Sequence, residues 1–402
     1  MRMMQMLAAG VMVGVASIVA AQEAPAPTRA QKAEQMAQRA IDYLRSQQDA
    51  SGAWGVREGA PSFPAITGLV LTGMRAHDQV KAHDDAAARG LAYILGQQKP
   101  DGGIYDVMLP SYNTSICISS LATFDTPEAK KAIERGVLFL RSLQYGEAAM
   151  PIDGSGESAA AVDRTHAFYG GWGYGRHGRP DLSNTAFALE ALHAAGVDPK
   201  DAAFQRALVF LQRCQMMEKG ADGRAINEAV YAKGSRQGGF IYATSVNKDE
   251  VGVGQSFAET FEETLDDGSV ASRLRSYGSM TYSGFKSYLY AGLSSQDPRV
   301  LAAMDWIGRN YTLDENPGVG TDGLYYYYVV FARAMHASGK ANVRVINAAG
   351  DATERAWADD LVERLATLQQ PDGSFKVVDD RWMENDPVLI TAYSLIALQQ
   401  AR

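Results

Sequence analysis

Six times along this chain an amphipathic helical segment ends in the same phase against a polar anchor, and this repetition limits the fold more than any single motif does. The segments "YLRSQQDASGAW", "YILGQQKPDGGI" and "RLATLQQPDGSF" share a helix end, a Gln, a turn with Gly and an apolar residue. Counting back four residues from Gln48, Gln98, Gln144, Gln215, Tyr311 and Gln369 gives Leu44, Ile94, Leu140, Leu211, Ile307 and Leu365. Seven residues back stand Ile41, Leu91, Val137, Leu208, Met304 and Val362, and the positions eight and eleven back are again small or apolar. These offsets mark one face of an α-helix, so each segment is predicted to bury one side and expose the other.

Between these segments lie helices that are apolar nearly all round. Thr67, Thr114, Thr185, Thr281 and Thr391 are expected to open five of them, each hydroxyl placed to accept an amide hydrogen. A further one is expected from Gly323, in "GLYYYYVVFARAM". A helix without a polar face has to be covered on every side. The expected fold class is therefore all-α, an α/α toroid of about six hairpins with an amphipathic outer ring and an apolar inner ring. An open solenoid of the same hairpins is the competitor, because repetition alone does not close a ring. Insertions over 145–167 and 216–236 interrupt the period, and the tract 246–272 is acidic with few large apolar residues. They are expected as loops over one end of the toroid, candidates for a lid.

Composition narrows the partners. The chain of 402 residues is 46% hydrophobic, enough for a large core, and its net charge of -8 comes without a basic cluster. Nucleic acid is excluded as an expected partner, since a phosphate backbone would be repelled. The stretch "MRMMQMLAAGVMVGVASIVAAQEAPAP" has one Arg, an apolar run to Ala20 and then a Pro-rich polar stretch. It predicts an export signal over residues 1–21, a polar linker over 22–32 and a single toroid domain over 33–402, with the mature chain in the periplasm or outside the cell. The apolar run falls short of the ~20 residues that a span needs, so no membrane-spanning segment is expected in the mature chain. Cys117 and Cys214 allow one disulfide but no disulfide framework, and each also reads as a core residue.

The Gln, Gly and aromatic spacing of Gln48 to Trp54 and of Gln369 to Phe375 resembles the Q-W repeats of the terpene cyclase and protein prenyltransferase superfamily. That resemblance covers most of the mature chain and implies the toroid fold; the superfamily hosts cyclases, prenyl transferases and noncatalytic modules. Squalene-hopene cyclases place a D-x-D-D run ahead of an inner helix beginning Thr-Ala, and its central Asp protonates an alkene. In "RPDLSNTAFALEAL" the alignment puts Asp181 at the first acidic place, Ser183 at the proton donor and Asn184 at the last. A Ser hydroxyl cannot supply that proton, so Asp181 reads as a turn or capping residue, with hydrogen bonding at the cavity mouth as its functional alternative. The zinc ligands of prenyltransferases have no counterpart in "GSMTYSGFKSYL" or "TAYSLIAL", so no metal and no cofactor are expected. The reactive Cys-Gly-Glu-Gln run of complement thioester domains, another toroid, is absent too.

Aromatic and hydroxyl side chains gather where the cavity end should be: Tyr169, Trp172, Tyr174, Phe240, Tyr242, Tyr282 and the run from Tyr325 to Tyr328. Aromatic faces stabilise cations, but four consecutive helical residues point in all directions, so at most two of that run can face one cavity. Asp181, Tyr169, Trp172, Tyr282, Tyr325, Tyr326 and Asp386 are the candidate substrate-binding residues. Asp322, directly before the Tyr run, is the candidate acid, because burial would raise its pKa; an N-cap is its other reading, Asp386 shares that ambiguity, and Glu384 nearby ranks below both. Arg176, His177 and Arg179 in "GGWGYGRHGRPD" offer an anion contact at a helix entrance, and an exposed loop is the alternative. The expected function is an exported toroid that binds or transforms an isoprenoid or other lipid-like small molecule in an aromatic cavity. The alternative is a noncatalytic toroid that binds a protein or glycan partner outside the cytoplasm. A polysaccharide lyase on a similar toroid would need a basic residue at an acidic-sugar site, and Lys286 is the inner-helix Lys available for it.

Overall fold

The computed structural model describes residues 27–55, 62–148, 159–175, 178–246, 254–265 and 267–402. The export signal over 1–21 and the pair Arg176 and His177 lie outside the described residues. Six helical hairpins follow one another: α1 (Arg29–Ser46) with α2 (Pro64–Arg75), α3 (Asp85–Gly96) with α4 (Pro110–Leu121), and α5 (Pro127–Leu143) with α6 (Leu182–Ala194). Then come α7 (Ala202–Cys214) with α8 (Gly278–Tyr290), α9 (Pro298–Arg309) with α10 (Leu324–Ser338), and α11 (Trp357–Leu368) with α12 (Pro387–Gln400). Odd-numbered helices carry the apolar face read from the sequence and form the outer ring. Even-numbered helices are buried along most of their length, each packing on the next, and α12 packs back on α2. The ring is closed, which settles the competition with an open solenoid.

The repeated Gln explains how closure is specified. The side-chain amide of Gln48 donates to its own turn at Gly52 O and to Ala86 O on α3. Gln98 reaches Ala132 O on α5, Gln144 reaches Ala203 O on α7, and Gln215 reaches Arg299 O on α9. Gln369 donates to Gly373 O at 3.2 Å and to Met36 O on α1 at 2.9 Å, joining the last outer helix to the first. Tyr311 stands in for Gln in the fifth repeat, and its hydroxyl donates to Asp360 on α11. The Gly in these turns is required by space as well as conformation. At Gly373, with φ of +92°, a Cβ would sit 2.2 Å from Arg39 O. Gln369→Ala leaves one outer-helix carbonyl without its donor, so a loss of about 1–3 kcal/mol in unfolding free energy is expected by urea titration. No change in the urea midpoint would mean that the ring closes without this link.

Three expectations are corrected in detail. The Thr residues do not open the inner helices, which begin three to four residues earlier at Pro64, Pro110, Leu182, Gly278 and Pro387. Four of their hydroxyls do accept an amide hydrogen, but from the preceding turn: Thr67 from Trp54, Thr114 from Ile104, Thr185 from Trp172 and Thr281 from Phe240. The linker expected over 22–32 already contains the start of α1, because Thr28 and Gln31 form a capping box. Two short antiparallel hairpins also join the helices, β1 (Thr260–Thr264) with β2 (Val270–Leu274) and β3 (Asn342–Ile346) with β4 (Ala352–Ala356). The first lies in the acidic tract, where Glu263 is buried and accepts from Ser235 Oγ, Arg236 N and Gln237 Nε2. The acidic tract is thus tied to the insertion before it. Cys117 and Cys214 are both buried and unpaired.

Candidate functional site

The inner helices bring their N-terminal turns together around a cavity of about 320 Å³. Ile66, Tyr112, Ser183, Met280, Tyr326 and Leu389 each lie within the first three residues of their helix and face it. An aromatic floor runs across the toroid: Tyr112 packs edge-on against Phe187 at 5.4 Å, Phe187 lies 5.9 Å from Tyr326, and Tyr326 lies 6.2 Å from Tyr393. Tyr112 and Tyr393 are hydrogen-bonded to each other. Tyr174, Tyr242, Phe257, Tyr277 and Trp382 continue the wall from the connecting segments. Few polar atoms interrupt it. Ser183 Oγ lies 2.9 Å from the Tyr326 hydroxyl, and Ser279 and Glu384 complete the polar lining.

Glu384 is the acid on this wall. Its carboxylate accepts from the backbone N–H of Tyr325 at 3.0 Å and of Tyr326 at 2.7 Å, so it occupies the positive end of α10. Burial outweighs those hydrogen bonds and pushes the carboxyl up to about 7. Asp181 stands one layer behind the wall. It caps α6, accepting from Asn184 N at 2.8 Å and Asn184 Nδ2 at 2.7 Å, and it is hydrogen-bonded by Tyr242. Burial pushes Asp181 up to about 6 against those hydrogen bonds. Both carboxyl groups therefore exchange protons near neutrality, although only Glu384 faces the cavity.

Glu384 is carried by a turn of unusual backbone. Trp382 has φ of 53° and Met383 has φ of 68°. Each left-handed side chain of this kind costs about 1–2 kcal/mol, so the packing around the turn has to hold it. Arg381 supplies part of that packing, with its guanidinium 4.7 Å from the Trp382 ring and its Nη1 2.5 Å from Asp322 Oδ2.

Below the floor the toroid axis is plugged by charge. On α6, Ser183, Phe187 and Glu190 follow one another at helical spacing, so the face that lines the cavity runs on to a buried carboxylate. Glu190 accepts from Lys286 of α8 and pairs with Arg333 of α10 at 2.6 Å. Burial raises the Glu190 carboxyl, but the Arg333 and Lys286 charges together bring it below the usual range.

Of the residues expected at the site, Tyr326 lines the cavity; it is the one member of the Tyr run that does. Tyr325 is buried beside it, with its hydroxyl donating to Lys376 O. Tyr282 packs on Tyr327 and Phe331, Trp172 donates its indole N–H to Leu140 O, and Tyr169 donates to Glu147. These four are core contacts rather than lining. Asp386 caps α12 by accepting from Val388 N. Asp322 is corrected most: it neither lines the cavity nor caps α10, whose N-cap is Gly323, and its carboxylate holds Arg381 at the rim. Lys286, the candidate base, is paired with Glu190 beneath the floor. Sequence reasoning ranked Glu384 below Asp322, and nothing in "RWMENDP" announces a left-handed turn at Trp and Met.

Comparison with known proteins agrees with this architecture. Residues 60–217 match the family model of the squalene-hopene cyclase C-terminal domain. A probable squalene-hopene cyclase of Sinorhizobium fredii is 28% identical over 223 residues, which is 50% of this chain and 34% of the relative. The chain therefore spans about a third of that relative's length. A variant of the type II terpene cyclase MstE from Scytonema, solved with geranylgeranyl dihydroxybenzoate, superposes with a TM-score of 0.51 at 12% identity, covering 93% of this chain and 98% of that one. An α-amylase from Clostridium perfringens reaches a TM-score of 0.54 at 10% identity, covering 92% of this chain and 98% of its own. At such identities these two likenesses establish the fold. Taken with the Q-W repeats and the closed double ring, the family model over residues 60–217 and the squalene-hopene cyclase relative support a likeness of this chain to the terpene cyclase-like superfamily.

Proposed function

We propose that the cavity binds an isoprenoid or another lipid-like ligand, and that any transformation begins from Glu384. The observation that carries this is the aromatic bore of about 320 Å³, at the lower end of the ~300–1,000 Å³ usual for small-molecule sites. Such a wall favours an apolar body and stabilises cationic carbon, while Ser183, Ser279 and Glu384 offer a few polar contacts to one end of the ligand. Ser183 lines the wall, and the alignment on "NTA" sets it at the place of the acid in squalene-hopene cyclases. A carboxyl near 7 is a weak acid for an isolated alkene but suits proton transfer to an oxygen of the ligand, and the two amides of α10 stabilise the carboxylate left behind. MstE, of the same fold, holds a geranylgeranyl compound.

The alternative, binding of a protein or glycan, would use the larger open groove of about 860 Å³ beside α7. Three of its polar side chains are already engaged within the protein: Arg213 donates to His166 O and Arg164 O, Asn227 to Arg213 O and Gln215 O, and Tyr231 to Arg213 O. That favours the inner cavity as the working site. Export is part of the proposal, supported by the residue pattern of 1–21 and tested by N-terminal sequencing of the mature protein.

The deciding experiment is native mass spectrometry of protein from its own compartment, with organic extraction of what is bound. An isoprenoid-like lipid is expected in the wild type. Ser183→Phe, which fills the bore, is expected to reduce its occupancy by about tenfold or more. An empty wild-type protein under gentle conditions would reject this reading.

A further inference from the structure

The turn carrying Trp382 and Met383 separates the cavity from solvent by a single layer of side chains. Both residues line the cavity, yet they are 40% and 37% exposed on their outer side. Trp382 packs edge-on against Phe257 across the mouth at 5.4 Å, and on its other side it lies against Gly323, where a Cβ would be 2.6 Å from its ring. The turn is held on its C-terminal side and at its tip. Glu384 is fixed to the amides of Tyr325 and Tyr326, and Asp386 is fixed to the first turn of α12. The contacts of Tyr325 and Val388 are buried, and that of Tyr326 is partly so. The tip is held by Arg381, which stacks on Trp382 and Phe257 and pairs with the partly exposed Asp322.

We infer that Trp382 and Met383 form a gate over the cavity, latched shut by the Asp322–Arg381 ion pair, through which an apolar ligand enters and leaves. This gives Asp322 a positioning role at the entrance. Two consecutive left-handed residues without glycine supply a reason to open, because releasing Arg381 frees the strained tip while Glu384 and Asp386 keep its C-terminal side in place. The inference goes beyond the proposed ligand class: it concerns the path into the bore and holds for any apolar molecule of suitable width.

The test uses the full chain and the amphiphilic fluorophore 1-anilinonaphthalene-8-sulfonate, whose rings report apolar sites, in stopped-flow mixing together with hydrogen exchange. Asp322→Asn is expected to raise both association and dissociation rates about fivefold while Kd moves by less than about twofold, because a latch of this exposure alters the barrier and not the bound state. The amides of Glu384 and Asp386, which donate to Arg381 O and Met383 O, are expected to exchange about fivefold faster with the inner helices unaffected. Trp382→Ala should give rates at least as fast. Unchanged rates and exchange in Asp322→Asn, or faster exchange spread evenly around the ring, would overturn the gate. If neither wild type nor Trp382→Ala takes up the fluorophore, the ligand-cavity reading fails, and exchange at Glu384 and Asp386 alone decides the gate.

Discussion

Glu190→Ala is expected to lower the unfolding free energy by about 3–5 kcal/mol, the largest effect of any single substitution considered for this protein. Removing the carboxylate leaves Lys286, 2% exposed, and Arg333 facing each other in the axis with no anion between them. Each alone is expensive to bury, and together they repel. The triad is not itself a source of stability, because desolvating three charges offsets most of their attraction. Replacing all three, as Glu190→Leu, Lys286→Met and Arg333→Met, is accordingly expected to recover most of the loss. Urea unfolding of the two variants checks both halves of the argument. A Glu190→Ala protein within about 1 kcal/mol of wild type would show that water reaches these charges and that the axis below the floor is open.

A pH series should isolate Glu384 next. Its carboxyl titrates near 4.5 in the unfolded chain and is pushed up to about 7 in the fold. The folded state therefore binds the proton more tightly. The stabilisation this provides is complete below about 4.5, is lost as pH rises towards 7 and is absent above it. The difference between those values corresponds to about 3 kcal/mol. Glu384→Gln cannot titrate, so the stability gap between wild type and variant is expected to shift by about that amount against the wild type from pH 4.5 to pH 8. A gap that stays constant with pH would show that Glu384 is solvated and unsuited to hold a proton over the bore. Asp181, raised for the same reason, adds a slope of the same sign to both proteins and cancels in the comparison.

The outer ring was legible in the sequence because its helices have two unlike sides. Leu44 and its counterparts recur at helical spacing, and the structure buries that face in every repeat. The inner ring was legible as buried but not in its rotation. A helix such as "LYYYYVVFARAMHAS" is apolar all round, so no periodicity tells which of Tyr325 to Tyr328 faces the axis. Trp172 and Tyr169 drew attention as aromatics near the cavity end, yet they serve the turns that join the rings. The indole of Trp172 ties its turn to the end of α5, as that of Trp54 ties to α1. Asp181 is a helix cap by geometry, and it stands one layer behind the cavity wall, hydrogen-bonded with Tyr242. Glu384 was undervalued because its position depends on a left-handed turn that Trp and Met do not advertise. Its role is set by the amides of α10, distant in sequence.

The amide bridge from Gln369 to Met36 has a further meaning for what the bore accepts. An open stack of hairpins can flex at its ends and widen its concave face to suit a guest. A hoop has a fixed circumference, and every inner helix is pressed between two neighbours. Its diameter is therefore a built-in gauge. Under the proposed function, molecules would be sorted by girth at the hoop, while length would be tolerated towards the mouth, where the turns and loops can yield.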